Sequence, residues 1–292
     1  MRDELTQYLA TPGKKVSLKN YSTTYKGPIE KDAGKEELRE IKCELSSYQE
    51  TLYAANSNSV LIIFQAMDAA GKDSAIQHVM SGLNPQGCQV YSFKTPTSEE
   101  YEHDFLWRHY KALPERGRLG IHNRSHYENV LVCKVHPEYI LNEKIPEYRD
   151  EKKIDGKFWK KRYESIRNFE QHLHENGTII IKIFLHVSKD KQKERFLERI
   201  NNPVKNWKFS SSDITERELW PQYMKAYEDA ITETSTEQSP WFIVPADKKW
   251  YARLVISKIL ADTLDQLKLK FPVLEKDEQQ KLDEIKEQLL NN

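Results

Sequence analysis

The chain has 292 residues, with 45 Lys and Arg against 45 Asp and Glu, so its formal net charge is zero. That balance excludes a protein drawn to polyanions by overall charge, and any anion site must come from local clustering of cations. With 38% hydrophobic and 31% charged residues, a mean hydropathy of −0.78 and only three scattered cysteines, the composition excludes an apolar helical membrane span, a disulfide scaffold and a cysteine metal site.

Residues 1–35 are polar and read as an irregular N-terminal arm. Its opening M-R-D-E-L-T-Q-Y-L-A lacks the apolar centre of a signal peptide, so a cytoplasmic location with no membrane partner is expected. Leu38, Ile41, Leu45, Tyr48 and Leu52 recur at helical spacing and predict an amphipathic helix over 36–56. The apolar run Val60–Phe64 predicts a buried parallel strand, and Ile76, Val79, Met80 and Leu83 predict a helix just after it. A second strand is expected over 88–93, then a helix over 99–112 capped by Thr97 or Ser98 and stopped by Pro114. A third strand near 118–122 leads to a helix of about 125–133, and the charged stretch 140–157 reads as a loop. A long helix from 158 to 175 closes at Asn176-Gly177, and T-I-I-I-K-I-F-L at 178–185 is the clearest later strand. A basic helix at 189–200 follows, then an irregular segment at 201–213 and a helix near 216–235 capped by Thr215. A short strand at 241–244 precedes a charged helical region interrupted at Pro272. Strands alternating with helices predict a parallel sheet covered on both faces.

The chemistry concentrates where the first strand ends. Ala69, Ala70 and Gly71 make a small-residue turn, Lys72 follows, and Asp73 and Ser74 open the helix. Backbone N–H groups, the helix dipole and the Lys72 ammonium together suit a phosphate. An ordinary βα turn with an exposed lysine would carry a similar string. The pattern G-x-x-x-x-G-K-[ST] is also broken, with Ala66 and Asp73 in place of Gly and Ser or Thr. Asp68 lies inside the loop instead, where a carboxylate beside phosphates calls for an intervening cation. Asn123 and Arg124 follow the third strand on the same rim as Lys72, Arg124 as a bidentate phosphate clamp. Glu128 follows them, and His122 and His126 are equally readable as structural or catalytic. Arg195 and Arg199 are one helical turn apart beside Lys205, Trp207 and Lys208, which fits a mobile lid over phosphates. Lys94, Asp104 and Arg108 are candidates to face an acceptor. Trp241 and Trp250 read as packing residues. A track of Lys72, Arg116, Arg118, Arg124, Lys205 and Lys208 is expected to grip a linear polyanion.

Seven segments together resemble the polyphosphate kinase 2 family of polyphosphate:nucleotide phosphotransferases. They are Q-A-M-D-A-A-G-K-D-S at 65–74, H-V-M-S-G-L-N-P-Q-G at 78–87, F-K-T-P-T at 93–97, G-I-H-N-R-S-H-Y-E at 120–128, R-Y-E-S-I-R-N-F-E at 162–170, P-V-K-N-W-K-F-S at 203–210 and S-P-W-F-I-V-P-A-D at 239–247. The resemblance implies an α/β P-loop kinase fold of the thymidylate kinase-like, three-layer type, with a parallel sheet and a helical lid at about 189–213. It implies a phosphotransferase domain over 36–270 and a charged helical tail over 271–292. The implied activity is transfer of the terminal phosphoryl group of inorganic polyphosphate to nucleoside mono- and diphosphates, reversibly, with Mg²⁺ or alternatively Mn²⁺. Asp68 and Asn123 would flank the metal. Lys72 and Arg124 would grip phosphates, with Ala69, Ala70, Gly71, Asp73, Ser74, Lys205 and Lys208 lining the chain, and Arg195 and Arg199 would close over it. Lys94, Asp104, Arg108, Asn123 and Glu128 would hold the nucleotide. The N-R-S-H-Y-E version resembles the subgroup that accepts both AMP and ADP, while His122 and Asn129 stand where that subgroup has Phe and Asp. A homo-oligomer is expected, and nucleic acid is not expected as a partner. An ATP-dependent nucleotide kinase on the same fold and a non-catalytic P-loop binding module are the alternatives.

Overall fold

The computed structural model describes residues 2–291. Helix α1 (Lys31–Ala55) ends at Asn56 in the left-handed conformation and leads into β1 (Ser59–Ala66), buried at all eight positions. Then come α2 (Lys72–Met80), β2 (Cys88–Ser92), the short helices α3 (Ser98–Tyr101) and α4 (Trp107–Tyr110), β3 (Leu119–Asn123) and α5 (Val132–Val135). The rest comprises α6 (Gly156–Glu175), β4 (Thr178–His186), α7 (Lys189–Ile200), α8 (Ser212–Glu218), α9 (Trp220–Thr234), β5 (Trp241–Pro245), α10 (Lys249–Gln266) and α11 (Lys276–Leu290).

The five strands form one sheet in the order β2-β3-β1-β4-β5, with every pairing parallel. β1 sits at its centre because its run of Val, Leu, Ile and Phe can be buried on both faces. All strands point the same way, so the loops after β1, β3, β4 and β5 gather on one rim.

Several expectations need correction. The N-terminal arm is irregular apart from 3-10 turns at Asp3–Tyr8 and Leu18–Asn20, and it is also packed down: Leu5, Tyr8, Ala10, Val16 and Leu18 are buried, and Ala10 N–H donates to Trp241 O at 2.8 Å beside β5. The first helix starts at Lys31, earlier than its apolar stripe suggests. The helix expected over 99–112 is two short helices. The first carries a capping box, in which Thr97 Oγ1 accepts from Glu100 N–H while Glu100 reaches back to Thr97 N–H. The helix expected over 125–133 is a 3-10 turn (His126–Val130) followed by α5. The helix near 216–235 is split, and Thr215 lies inside α8 rather than capping α9.

Candidate active site

The loop between β1 and α2 forms the floor of the site. Ala70 N–H donates to Met67 O at 3.1 Å, closing a turn, and Ala69 (φ 58°) and Gly71 (φ 104°) take positive φ. Glycine adopts that backbone freely and alanine at a cost. Gly71 is the N-cap of α2 without a side-chain cap, so the first-turn N–H groups of the helix face the rim. Lys72 Nζ donates to Ala66 O at 3.1 Å, folded over its own loop. Burial and then nearby Arg124 lower its pKa, with Asp68, Glu128 and Asp73 opposing.

The β3 end supplies the facing wall. Arg124 takes φ 65°, a strained setting held by its N–H on Phe64 O at 3.1 Å. Its guanidinium bridges Asp68 Oδ1 at 3.0 Å and Glu128 Oε2 at 3.2 Å. Glu128 and then Asp68 raise its pKa against the opposing effect of burial. Asn123 Nδ2 donates to Asp73 Oδ1 at 2.8 Å, so the two sequence candidates for metal contact, Asp68 and Asn123, each lean on another member of the site.

The residues around Arg124 point into the protein. His122, Ser125 and His126 are fully buried, and His122 Nε2 lies 3.0 Å from Ala112 O. Both histidines are thus packed behind the rim. Tyr127 Oη donates to Glu170 Oε1 at 2.7 Å, and Lys182 Nζ donates to Glu170 Oε2 at 2.5 Å. Lys182 and Glu170 are 0% and 1% exposed, so this ion pair anchors the β3 segment to β4 and α6 from beneath.

Arg195 is not where its spacing with Arg199 suggested. It is 5% exposed, and its Nη1 donates to Ala69 O at 3.0 Å and Ala70 O at 2.6 Å. Its Nη2 donates to Ala246 O at 2.6 Å and Asp247 O at 3.1 Å. Arg199, one turn on, reaches the segment after α7, donating to Lys208 O at 3.3 Å with its Nη1 3.7 Å from Asp213 Oδ2. The segment between α7 and α8 presents Lys205, Trp207 and Lys208 to a cleft, with Trp207 78% exposed.

Two clefts meet at the loop. The first, of about 850 Å³, is lined by Asp68, Lys72, Asp73, Lys94, Asn123 and Arg124 on the rim and by Arg199, Lys205, Lys208 and Asp213 on the side of α7 and α8. The second, of about 560 Å³, runs between α1, α2, α7 and α10. Lys31, Lys35, Arg39, Lys42, Lys191, Arg195, Lys249 and Arg253 line it, against only Glu198 and Asp247 as acids. Arg195, Glu198 and Lys249 border both.

Other expected residues lie elsewhere. Asp104 caps a turn by accepting from Leu106 N–H at 2.9 Å, and Arg108 packs over Phe93, 3.3 Å from Glu100. Arg116 donates to Ser57 O at 2.8 Å and Arg118 pairs with Glu115 at 2.9 Å, both at the amino ends of the strands and across the sheet from Lys72. Ser74, by contrast, does line the first cleft, and its Oγ accepts from Arg253 Nη2 at 2.6 Å. The second cleft is not among the sites expected from the sequence. Lys31, Lys35 and Lys42 do recur on one face of α1, a signal that was available, whereas Lys249 and Arg253 carried none. Among the described residues, no group of three or more His, Cys, Asp or Glu stands in a metal-holding cluster, and no helix is long and apolar enough to cross a membrane.

Comparison with known proteins places this geometry in context. The family model described as Polyphosphate kinase 2 matches residues 28–272. The chain is 50% identical over 291 residues to an ADP-polyphosphate phosphotransferase of Rhodopseudomonas palustris, covering 99% of this chain and 100% of the relative. It is 42% identical over 270 residues to an AMP/ADP-polyphosphate phosphotransferase of Meiothermus ruber, covering 92% and 96%. Its fold is similar to the crystal structure of polyphosphate kinase 2 from Arthrobacter aurescens, with a TM-score of 0.79 and 40% identity over 90% of this chain and 89% of that one.

Proposed function

Because the chain belongs to the polyphosphate kinase 2 family, we propose that it moves the terminal phosphoryl group of inorganic polyphosphate to nucleoside mono- and diphosphates, taking AMP to ADP and ADP to ATP. One observation carries the reading most directly. An N–H-rich loop stands between a cationic groove and a mixed-charge cleft under a lid, which suits a linear polyanion on one side and a smaller phosphate acceptor on the other. Phosphoryl transfer asks for positioning and charge neutralisation more than for covalent chemistry.

In this reading the groove along α1 and α10 takes the polyphosphate chain, and the cleft under the lid takes the nucleotide. Lys72, Arg124 and the loop N–H groups hold the transferring group. Arg199, Lys205 and Lys208 approach it from the lid, while Lys94, Asn123 and Glu128 face the acceptor side. Asp68, Asp73 and Asn123 offer only oxygen donors, the donor type that Mg²⁺ prefers, and Mn²⁺ is the alternative. When bound there, the ion would neutralise charge on the bridging oxygens. Arg124 now occupies one oxygen of Asp68, so the arginine and the ion would share that carboxylate.

The test is product analysis. Purified protein with polyphosphate and Mg²⁺ is expected to convert AMP and ADP without any nucleotide donor, and absence of transfer would defeat the reading. The groove has its own test. Lys42 donates to Ser81 Oγ at 2.7 Å, just past the far end of α2 from Ser74, about 9 Å along the helix at 1.5 Å per residue. Lys42→Ala should therefore raise KM for long polyphosphate several-fold and leave KM for tripolyphosphate nearly unchanged. Equal effects on both would move the chain out of this groove.

A further inference from the structure

Three successive carbonyl oxygens of the loop are tied to one helix. Gln192 Nε2 donates to Asp68 O at 2.9 Å, and Arg195 takes the carbonyls of Ala69 and Ala70. In a trans peptide the N–H points opposite its carbonyl. Holding the Asp68 and Ala70 oxygens toward α7 therefore turns the N–H groups of Ala69 and Gly71 away from it. The N–H of Ala70 is already spent on Met67 O. Carbonyl oxygens facing a phosphate would repel it, so this orientation decides whether the loop attracts or rejects an anion.

We propose that Arg195 is a positioning residue, a backbone staple that holds the loop's carbonyls to the rear so that its N–H groups meet the phosphate. The proposal rests on the phosphotransfer reading above and concerns how the cradle is built. The same guanidinium fork also binds Ala246 and Asp247 carbonyls, joining the loop to the β5–α10 junction. The Asp247 carboxylate accepts from Ser188 N–H at 2.8 Å and so pins the start of α7. Four carbonyl acceptors in two loops match a planar fork and not a lysine ammonium. Arg199 lies one turn along the same helix, so the staple and the lid share one rigid element.

The experiment compares Arg195→Ala, Arg195→Lys and Gln192→Met with the wild type. It measures kcat and KM for polyphosphate across a salt series, with and without added guanidinium, alongside circular dichroism and melting temperature. A staple predicts a fall in kcat of about 10- to 100-fold, as for other supporting residues around an active group. It also predicts an unchanged slope of log KM against log salt, partial recovery of Arg195→Ala by guanidinium, and poor replacement by lysine. A slope reduced by about 0.7, the value of one lost phosphate contact on a single-stranded polyanion, would show that Arg195 touches the chain and overturn the proposal. Wild-type kcat in Arg195→Ala would overturn it too. So would activity lost only in proportion to the folded fraction, without a guanidinium response. If Arg195→Ala does not fold, Gln192→Met decides by its kcat and salt slope. If the wild type transfers nothing from polyphosphate, the functional reading fails separately, and the staple is judged on tripolyphosphate binding by the same slope and guanidinium criteria.

Discussion

Ala69 and Arg124 both hold a backbone conformation that costs an L-residue about 1–2 kcal/mol. Both flank the phosphate cradle, and such strain persists only where surrounding contacts over-determine it. Ala69→Gly should therefore raise the unfolding free energy by about 0.5–1 kcal/mol, read as a higher denaturant midpoint at unchanged slope. Asp68→Asn and Lys72→Ala should each abolish transfer while leaving the melting temperature within a few degrees. Wild-type turnover in either would remove the assigned roles. That Lys72, Asp68 and Arg124 meet on one rim was readable in the chain, because a small-residue turn between strand and helix constrains where a neighbouring charge can go. The staple formed by Arg195 was not, since its partners are backbone carbonyls, which every residue possesses. That Asp104 and Arg108 turn to neighbouring groups and not to the cleft was not readable, for a related reason. A carboxylate that caps a turn and a guanidinium stacked on Phe93 look the same in sequence as groups that wait for a substrate.

The strands were legible because β1 and β4 are long, β-branched and apolar, and the central position in the sheet follows from burial on both faces. The arm was not, because Leu5, Tyr8, Val16 and Leu18 are too widely spaced to show a period, and they pack only once β5 is present. Beneath these elements lies the Lys182–Glu170 pair. Burial pushes the Glu170 carboxyl up, but Lys182 and His126 outweigh that and hold it down at about 2. Removing one partner from a fully buried pair leaves the other charge uncompensated. Glu170→Gln should cost about 3–5 kcal/mol in chemical denaturation, whereas Glu170→Leu combined with Lys182→Met should cost much less. Comparable losses in both would mean that the network, and not the orphaned charge, carries the stability. The pair also ties the β3 segment in place, so the single variant should weaken catalysis as well as folding.

Across the whole molecule, buried histidines set the acid limit. Burial lowers His122 and His186 from 6.5 to about 4, and His109 and His126 are lowered as well. Between pH 6.5 and about 4 the unfolded chain binds protons on these rings and the folded chain does not. Stability is therefore full above that window and falls as pH drops through it. The Glu170 contribution, from a depressed carboxyl, is lost later, between its ordinary value near 4.5 and about 2. Melting temperatures from pH 7.5 to 4 should decline steadily, and His122→Asn should flatten the slope. A flat profile in the wild type would show that the rings are already charged or solvated.

The two clefts bordered in common by Arg195, Glu198 and Lys249 carry a kinetic consequence. If polyphosphate takes one cleft and the nucleotide the other, as proposed, donor and acceptor would be seated at the same moment on opposite flanks of one loop, and the enzyme would have no need to park the phosphoryl group on a side chain of its own. On that assignment each turnover would be a direct hand-over within a ternary complex, with neither substrate having to leave before the other arrives.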